Sequence, residues 1–236
     1  MSRLQRILWC AAAALFLLIA ACSVWYGGRA AWGDANALGA SWQVAEWRAG
    51  RGPQQTPELW NETRDTLKET LSITPDNAQL YDDLGYLHAA RAQVFGVTEA
   101  GSALRKYQDS LLDEAIADYR EATRLRPTFP YSWTYLALAK HIRGVNDAEM
   151  WLAFDKGLHY GATEDALRTA LTVIALDQWQ TLEPERQTAV RAMVAVAPEA
   201  PHAKLLALGQ AHGVTFAAAA KPVAAALPSA TATPAH

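Results

Sequence analysis

The stretch DEAIADYREATRLRPTFPYSWTYLALA, Asp113 to Ala139, decides how this chain is read. Ala115 and Tyr119 are four apart, Ala122 follows three later and Leu125 three after that, so small and large apolar groups line one face of a helix. Such a face is stable only when a neighbouring element covers it. Pro127 and Pro130 end the helix, because proline has no amide proton and disfavours an α conformation in the residue before it. Trp133, Leu136 and Ala137 then begin a new apolar stripe. A helix end, a proline turn and a fresh amphipathic helix in so short a span predict helix pairs stacked in series.

Working outward, the same grammar recurs. Leu59, Thr63, Leu67, Thr70 and Leu71 share a helical face that Pro75 closes, and Thr74-Pro75-Asp76 echoes Arg126-Pro127-Thr128. One set of positions reads Tyr81-x2-Leu84-Gly85-x2-His88, then Ala115-x3-Tyr119, Ala122 and Pro127. A second reads Trp133-x2-Leu136-Ala137-x2-Lys140, then Met150-x3-Phe154 and Gly157. The small residues let two helices approach closely while Tyr119, Trp133 and Phe154 fill the space beside them. Asp76-Asn77 and Asn146-Asp147 are suitable N-caps.

On these positions, residues 57–160 resemble the tetratricopeptide-repeat family. The resemblance implies an all-α, helical-hairpin solenoid, with residues 161–213 as capping helices and residues 214–236, rich in Ala, Pro, Thr and Ser, as a disordered tail. Gly85 to Ala115 is longer than the repeat pattern allows, so residues 91–110 are an insertion or an elongation of both helices, and a candidate for a special role. In such hairpins the first helices line a groove. Carried over, that arrangement sets Gln79, Asp82 and Tyr86 beside Tyr131, Thr134 and His141 as a partner-binding surface.

The chain has 236 residues, 51% apolar and 19% charged, with net charge −3, which gives no basic footprint for nucleic acid. Residues 1–28 form a membrane anchor or signal segment. Arg3 and Arg6 precede an uncharged run from Ile7 to Tyr26 that, as a helix, matches a bilayer core of roughly 30 Å. Trp25 and Tyr26 sit where an aromatic belt would lie, and the cationic start predicts a cytoplasmic N-terminus with the remainder across the membrane. A cleaved signal peptide and a lipoprotein with lipid on Cys22, from the lipobox-like Ile19-Ala20-Ala21-Cys22, are the competing readings. Gly27-Gly28 is expected to end the membrane helix and let the chain turn. Residues 29–56 are then a helix and linker, with Leu38, Trp42 and Ala45 on the apolar face.

The only cysteines, Cys10 and Cys22, lie in the apolar run, so the remainder has no disulfide, thiol nucleophile or cysteine metal site. His88, His141, His159, His202, His212 and His236 form no metal-ligand spacing, and no nucleophile elbow or phosphate loop occurs. The sequence therefore implies no metal, no cofactor and no catalytic residue. Arg120, Arg124 and Arg126 read as a solvated helix face rather than a basic patch. A further resemblance rests on the anchor, on Arg126-Pro127-x2-Pro130-x2-Trp133-x2-Leu136-Ala137, on Gly144-x2-Asp147 and on Trp179-x2-Leu182. Together these are similar to the VpsP-type proteins associated with bacterial polysaccharide biosynthesis. That resemblance implies a single-pass inner-membrane protein with its helical domain in the periplasm, partnered by proteins of polysaccharide assembly or export. The alternatives are an adaptor for cytochrome maturation or envelope-protein assembly, and an enzyme acting on glycans.

Overall fold

The structure, a computed structural model, describes residues 2–96 and 98–217. Among the described residues all regular structure is helical: α1 (Arg3–Arg48), α2 (Pro57–Ile73), α3 (Ala78–Val94), α4 (Ala103–Leu125), α5 (Pro130–Arg143), α6 (Ala148–Gly161), α7 (Asp165–Asp177), α8 (Pro184–Ala195) and α9 (Glu199–Ala211). The chain divides into two compact units, residues 1–160 and 161–236.

Helix α1 is uninterrupted over 46 residues, about 69 Å at 1.5 Å per residue. Its first half is exposed and is long and apolar enough to cross a membrane. The expected turn at Gly27-Gly28 does not form: neither glycine has positive φ, and the helix continues through both. Two glycines cost a helix only about 1 kcal/mol each relative to alanine, and packing further along outweighs that. Gly33, Ala37, Ala40, Val44 and Trp47, spaced by fours and threes, are the buried stripe. A Cβ on Gly33 would stand 2.5 Å from Thr74 Cγ2, so only glycine allows this approach. The expected face is the other one, with Leu38 at 70% and Trp42 at 60% exposure. The helix carries two apolar stripes, and the one with small residues is able to pack closely. Arg29 and Asp34 turn to the packed side, toward Asp76 at 3.4 Å and Asn77 at 3.2 Å.

The second half of α1 pairs with α2, α3 pairs with α4, and α4 packs in turn on α5. Two equivalent proline turns set this succession. Thr74 (φ −126, ψ 70) and Arg126 (φ −130, ψ 74) have the same backbone conformation. Their carbonyls accept from Asn77 and Phe129 amides, each at 3.1 Å. In both turns an aromatic donor six residues past the proline closes on the proline carbonyl: Tyr81 Oη to Pro75 O at 3.3 Å, and Trp133 Nε1 to Pro127 O at 2.8 Å. Asn77 caps α3 through the Gln79 amide, and Asp147 accepts from the Met150 amide at the start of α6. Between α3 and α4 the fit is glycine under an aromatic ring, since a Cβ on Gly85 would stand 2.8 Å from Tyr119.

Residues 91–110 elongate both helices, α3 to Val94 and α4 from Ala103, and the lengthened ends are packed. Gln108, 6% exposed, donates to Ala92 O at 3.0 Å and Gly96 O at 3.1 Å, and Phe95 meets Tyr107 edge-on at 5.7 Å.

In the second unit α7, α8 and α9 contact one another around Leu171, Ile174, Val190, Val194 and Leu205. Helix α7 starts at Asp165 after Glu164 as its N-cap residue. The packed chain extends to Phe216, which lies edge-on to Trp179 at 5.9 Å and fills the space left by Gly209. The Ala/Pro/Thr/Ser run from 218 onward lies outside the described residues.

Candidate functional site

Two consecutive acids on α3 fix that helix from both sides. Asp82, 3% exposed, accepts from Ser132 Oγ at 2.7 Å and pairs with Arg126, tying α3 to the turn before α5. Asp83, 2% exposed, pairs with Arg48 of α1 at 3.2 Å and accepts from Gln79 Nε2 at 2.9 Å. Arg48 also donates to the Asp82 carbonyl at 2.6 Å and lies 5.0 Å over the Tyr86 ring. Burial pushes the Asp82 carboxyl up, against the pull of Ser132 and Arg126, and pushes Asp83 up against Arg48. Both carboxylates are committed to cations on opposite sides, an arrangement that holds helices in place.

Held this way, the last turn of α1, α3 and α5 enclose a cavity of about 270 Å³. Arg48, Tyr86, Tyr119 and Tyr135 form its polar-aromatic part; Ala89, Ala90, Leu138, Ala139 and Ile142 supply apolar wall, and Gln93 an amide. Burial raises the pKa of the Tyr86 and Tyr135 phenols, keeping both hydroxyls protonated as donors at neutral pH. An apolar pocket with a few directed polar groups suits a side chain of an inserted peptide segment.

Of the residues expected to line a groove, Gln79, Asp82 and Tyr86 are brought together on α3. Asp82 anchors α5 through Ser132, Gln79 donates to Asp83 within α3, and Tyr86 lines the cavity. Tyr131 stands beside it, its ring 6.3 Å from Tyr135 and 5.4 Å from Phe129. Thr134 turns away: it is fully buried and its hydroxyl has no hydrogen-bond partner among the described residues. His141 lies off the cavity, its Nδ1 3.3 Å from Asn146 Oδ1. Arg48, Tyr119, Tyr135 and Ile142 escape the sequence reading because three separate helices bring them to α3. Periodicity could have found Tyr135, Leu138 and Ile142, which share one face of α5.

Elsewhere in the first unit the polar contacts repeat. Lys68 reaches Glu114 at 3.4 Å, and Glu114 lies 3.1 Å from Nε2 of buried His88. The equivalent set is Arg120 to Glu149 at 2.6 Å, with Glu149 also bound by buried Lys140. Lys68 to Arg120 and His88 to Lys140 have the spacing of Pro75 to Pro127; Glu114 to Glu149 has that of Tyr119 to Phe154. A cation on one helix, a carboxylate two helices on and a buried nitrogen base on the helix between therefore form one motif used twice. Arg120, Arg124 and Arg126 each face an acid, Glu149, Glu121 and Asp82 respectively. Among the described residues no group of three or more His, Cys, Asp or Glu is placed to hold a metal ion. Compared with protein-family models, with curated proteins and with solved structures, the chain has no match in any of the three.

Proposed function

We propose that this chain is a membrane-anchored scaffold of the tetratricopeptide type that docks a segment of a protein partner between α1, α3 and α5. The observation that carries the reading is the shared use of α1: the helix able to span a membrane also provides, through Arg48, one wall of the cavity. A partner docked there is held about 33 Å along α1 from the end of the apolar run at Tyr26. The repeated proline turns, the Gly85 approach to Tyr119 and the twice-used charge motif support a tandem-hairpin architecture. The acids nearest the cavity are occupied by Arg48 and Arg126, which favours binding over a reaction. The cationic N-terminus favours insertion with the hairpins in the periplasm. The pathway, exopolysaccharide assembly or export, is taken from the resemblance to VpsP-type proteins.

The test is co-purification of the intact chain from crosslinked membranes in mild detergent, comparing wild type with Tyr86→Ala/Tyr135→Ala. Polysaccharide polymerase or export components should be enriched with wild type and lost with the variant. Enrichment of cytochrome-maturation or envelope-assembly proteins instead would keep the scaffold and overturn the pathway. No protein retained by wild type would overturn the scaffold.

A further inference from the structure

The two copies of the charge motif differ in the buried base. In α5 it is Lys140, 3% exposed, whose ammonium meets both Asp147 and Glu149. In α3 it is His88, 1% exposed, and it too has two acids. Nδ1 lies 2.8 Å from Asp118 Oδ2 in hydrogen-bonding geometry. Nε2 lies 3.1 Å from Glu114 Oε2, though off the N–H direction, so this second approach is a charge contact rather than a hydrogen bond. A neutral imidazole has one N–H and one lone pair; with Nδ1–H given to Asp118, the lone pair on Nε2 faces a carboxylate oxygen. Only the doubly protonated ring meets both acids favourably. His88 thus occupies a position that the second copy of the motif fills with a cation.

The surroundings favour a proton-dependent contact. From α4 the ring is faced by Glu114 and Asp118, and from α2 by Trp60 edge-on at 5.9 Å, with Lys68 beyond Glu114. Arg64 and Arg91 stack on the opposite partner, the Trp60 ring, at 4.8 and 5.9 Å, and Tyr81 lies within electrostatic reach of Asp118. Glu114 is 52% exposed and free to swing into water when the ring no longer attracts it. Asp118, 17% exposed, keeps its hydrogen bond to Nδ1 in either state of the ring.

We propose that His88 is a proton-operated tie between α3 and α4: doubly protonated, it bridges Asp118 and Glu114 as Lys140 bridges Asp147 and Glu149. Loss of one proton leaves Glu114 to Lys68 alone and loosens the hairpin next to α1 while α5 and α6 stay fixed. Histidine is the side chain whose ordinary charge change falls between about pH 5 and 8. The contact at stake is a charge pair to a half-exposed acid, so its loss corresponds to roughly a two- to fivefold change in local opening.

The test is hydrogen exchange of the full chain in detergent micelles at about pH 5.5 and about pH 8, with rates corrected for the intrinsic effect of pH. Amides of α2, α3 and α4 should open roughly two- to fivefold more at the higher pH, and those of α5 and α6 should not change. His88→Lys should abolish the difference, and His88→Gln should show the looser state at both values. Equal protection of α3 and α4 at the two values, or a step that survives in His88→Lys, overturns the proposal. Should either variant fail to fold, ¹⁵N chemical shifts of the His88 ring in the wild type decide. A change from two bound protons to one, accompanied by the loosening, supports the tie; a ring in one state throughout overturns it.

Discussion

Replacing Arg48 with Met tests what holds the cavity in shape. The change removes the partner of Asp83 at 3.2 Å, the donor to the Asp82 carbonyl at 2.6 Å and the cation over Tyr86, while the methionine stem keeps the apolar packing. Asp83, with its side chain 3% exposed, would retain only Gln79. An acid left buried without its cation costs about 3–5 kcal/mol, more than the lost hydrogen bond at about 1 kcal/mol or the ring contact at about 0.5–1 kcal/mol. The reverse deletion, Asp83→Asn, leaves an arginine whose side chain is 29% exposed and can be hydrated, so it should cost only about 1–2 kcal/mol. The double variant should recover much of the Arg48→Met loss, because no buried charge remains to be compensated. Acidification should also relieve Arg48→Met. Burial holds the folded pKa of Asp83 above the ordinary carboxylate value of 3.8, so the folded state holds the proton more tightly and stability rises as pH falls through that window. Hydrogen exchange of α3 amides reads these differences. Arg48→Met no more harmful than Asp83→Asn, or a double variant worse than either, would refute the reasoning.

Other consequences follow from the same contacts. Gly27→Ala and Gly28→Ala meet nothing within 4 Å and lie inside a continuous helix, so each should stabilise it by about 0.5–1 kcal/mol; circular dichroism melts showing a loss would reinstate a turn. Gly33→Val drives a side chain into Thr74 and should cost about 1–3 kcal/mol, read as faster exchange at the α1–α2 junction. Gly85→Ala meets the Tyr119 ring at 2.8 Å and should loosen α3 on α4 by a similar amount. Glu149 is held down to about 2 from 4.5, first by Arg120 and then by Lys140. Its contribution is present above 4.5 and disappears as pH falls toward 2, so Glu149→Gln should flatten the acid limb of a stability-versus-pH curve for α4 to α6.

Much of the helical framework is written locally. Pro75 and Pro127 remove donors and forbid helix before them, and Gly85 and Ala122 are small where α3 and α4 meet, so an all-helical chain with an apolar first helix is legible without coordinates. The course of α1 is not. Gly27-Gly28 carries a local preference that distant packing of Gly33 against Thr74 overrides, and the bulkier Leu38 and Trp42 look more like core than Ala37 and Ala40 do. At the site, spacing along α3 suffices for Gln79, Asp82 and Tyr86. Thr134 differs from Tyr135 by one residue, about 100° around α5, and that step separates a buried hydroxyl from a cavity wall. Arg126 looks like a solvated cation until the fold brings Asp82 to it.

The most direct test of a membrane-held docking groove is site-specific photo-crosslinking in intact membranes, with the photoreactive residue at Leu138 in the cavity or at exposed Glu69 on α2. The account predicts a discrete protein adduct from Leu138 that Tyr86→Ala abolishes, and none from Glu69. No adduct from Leu138, or the same adduct from both positions, would contradict it.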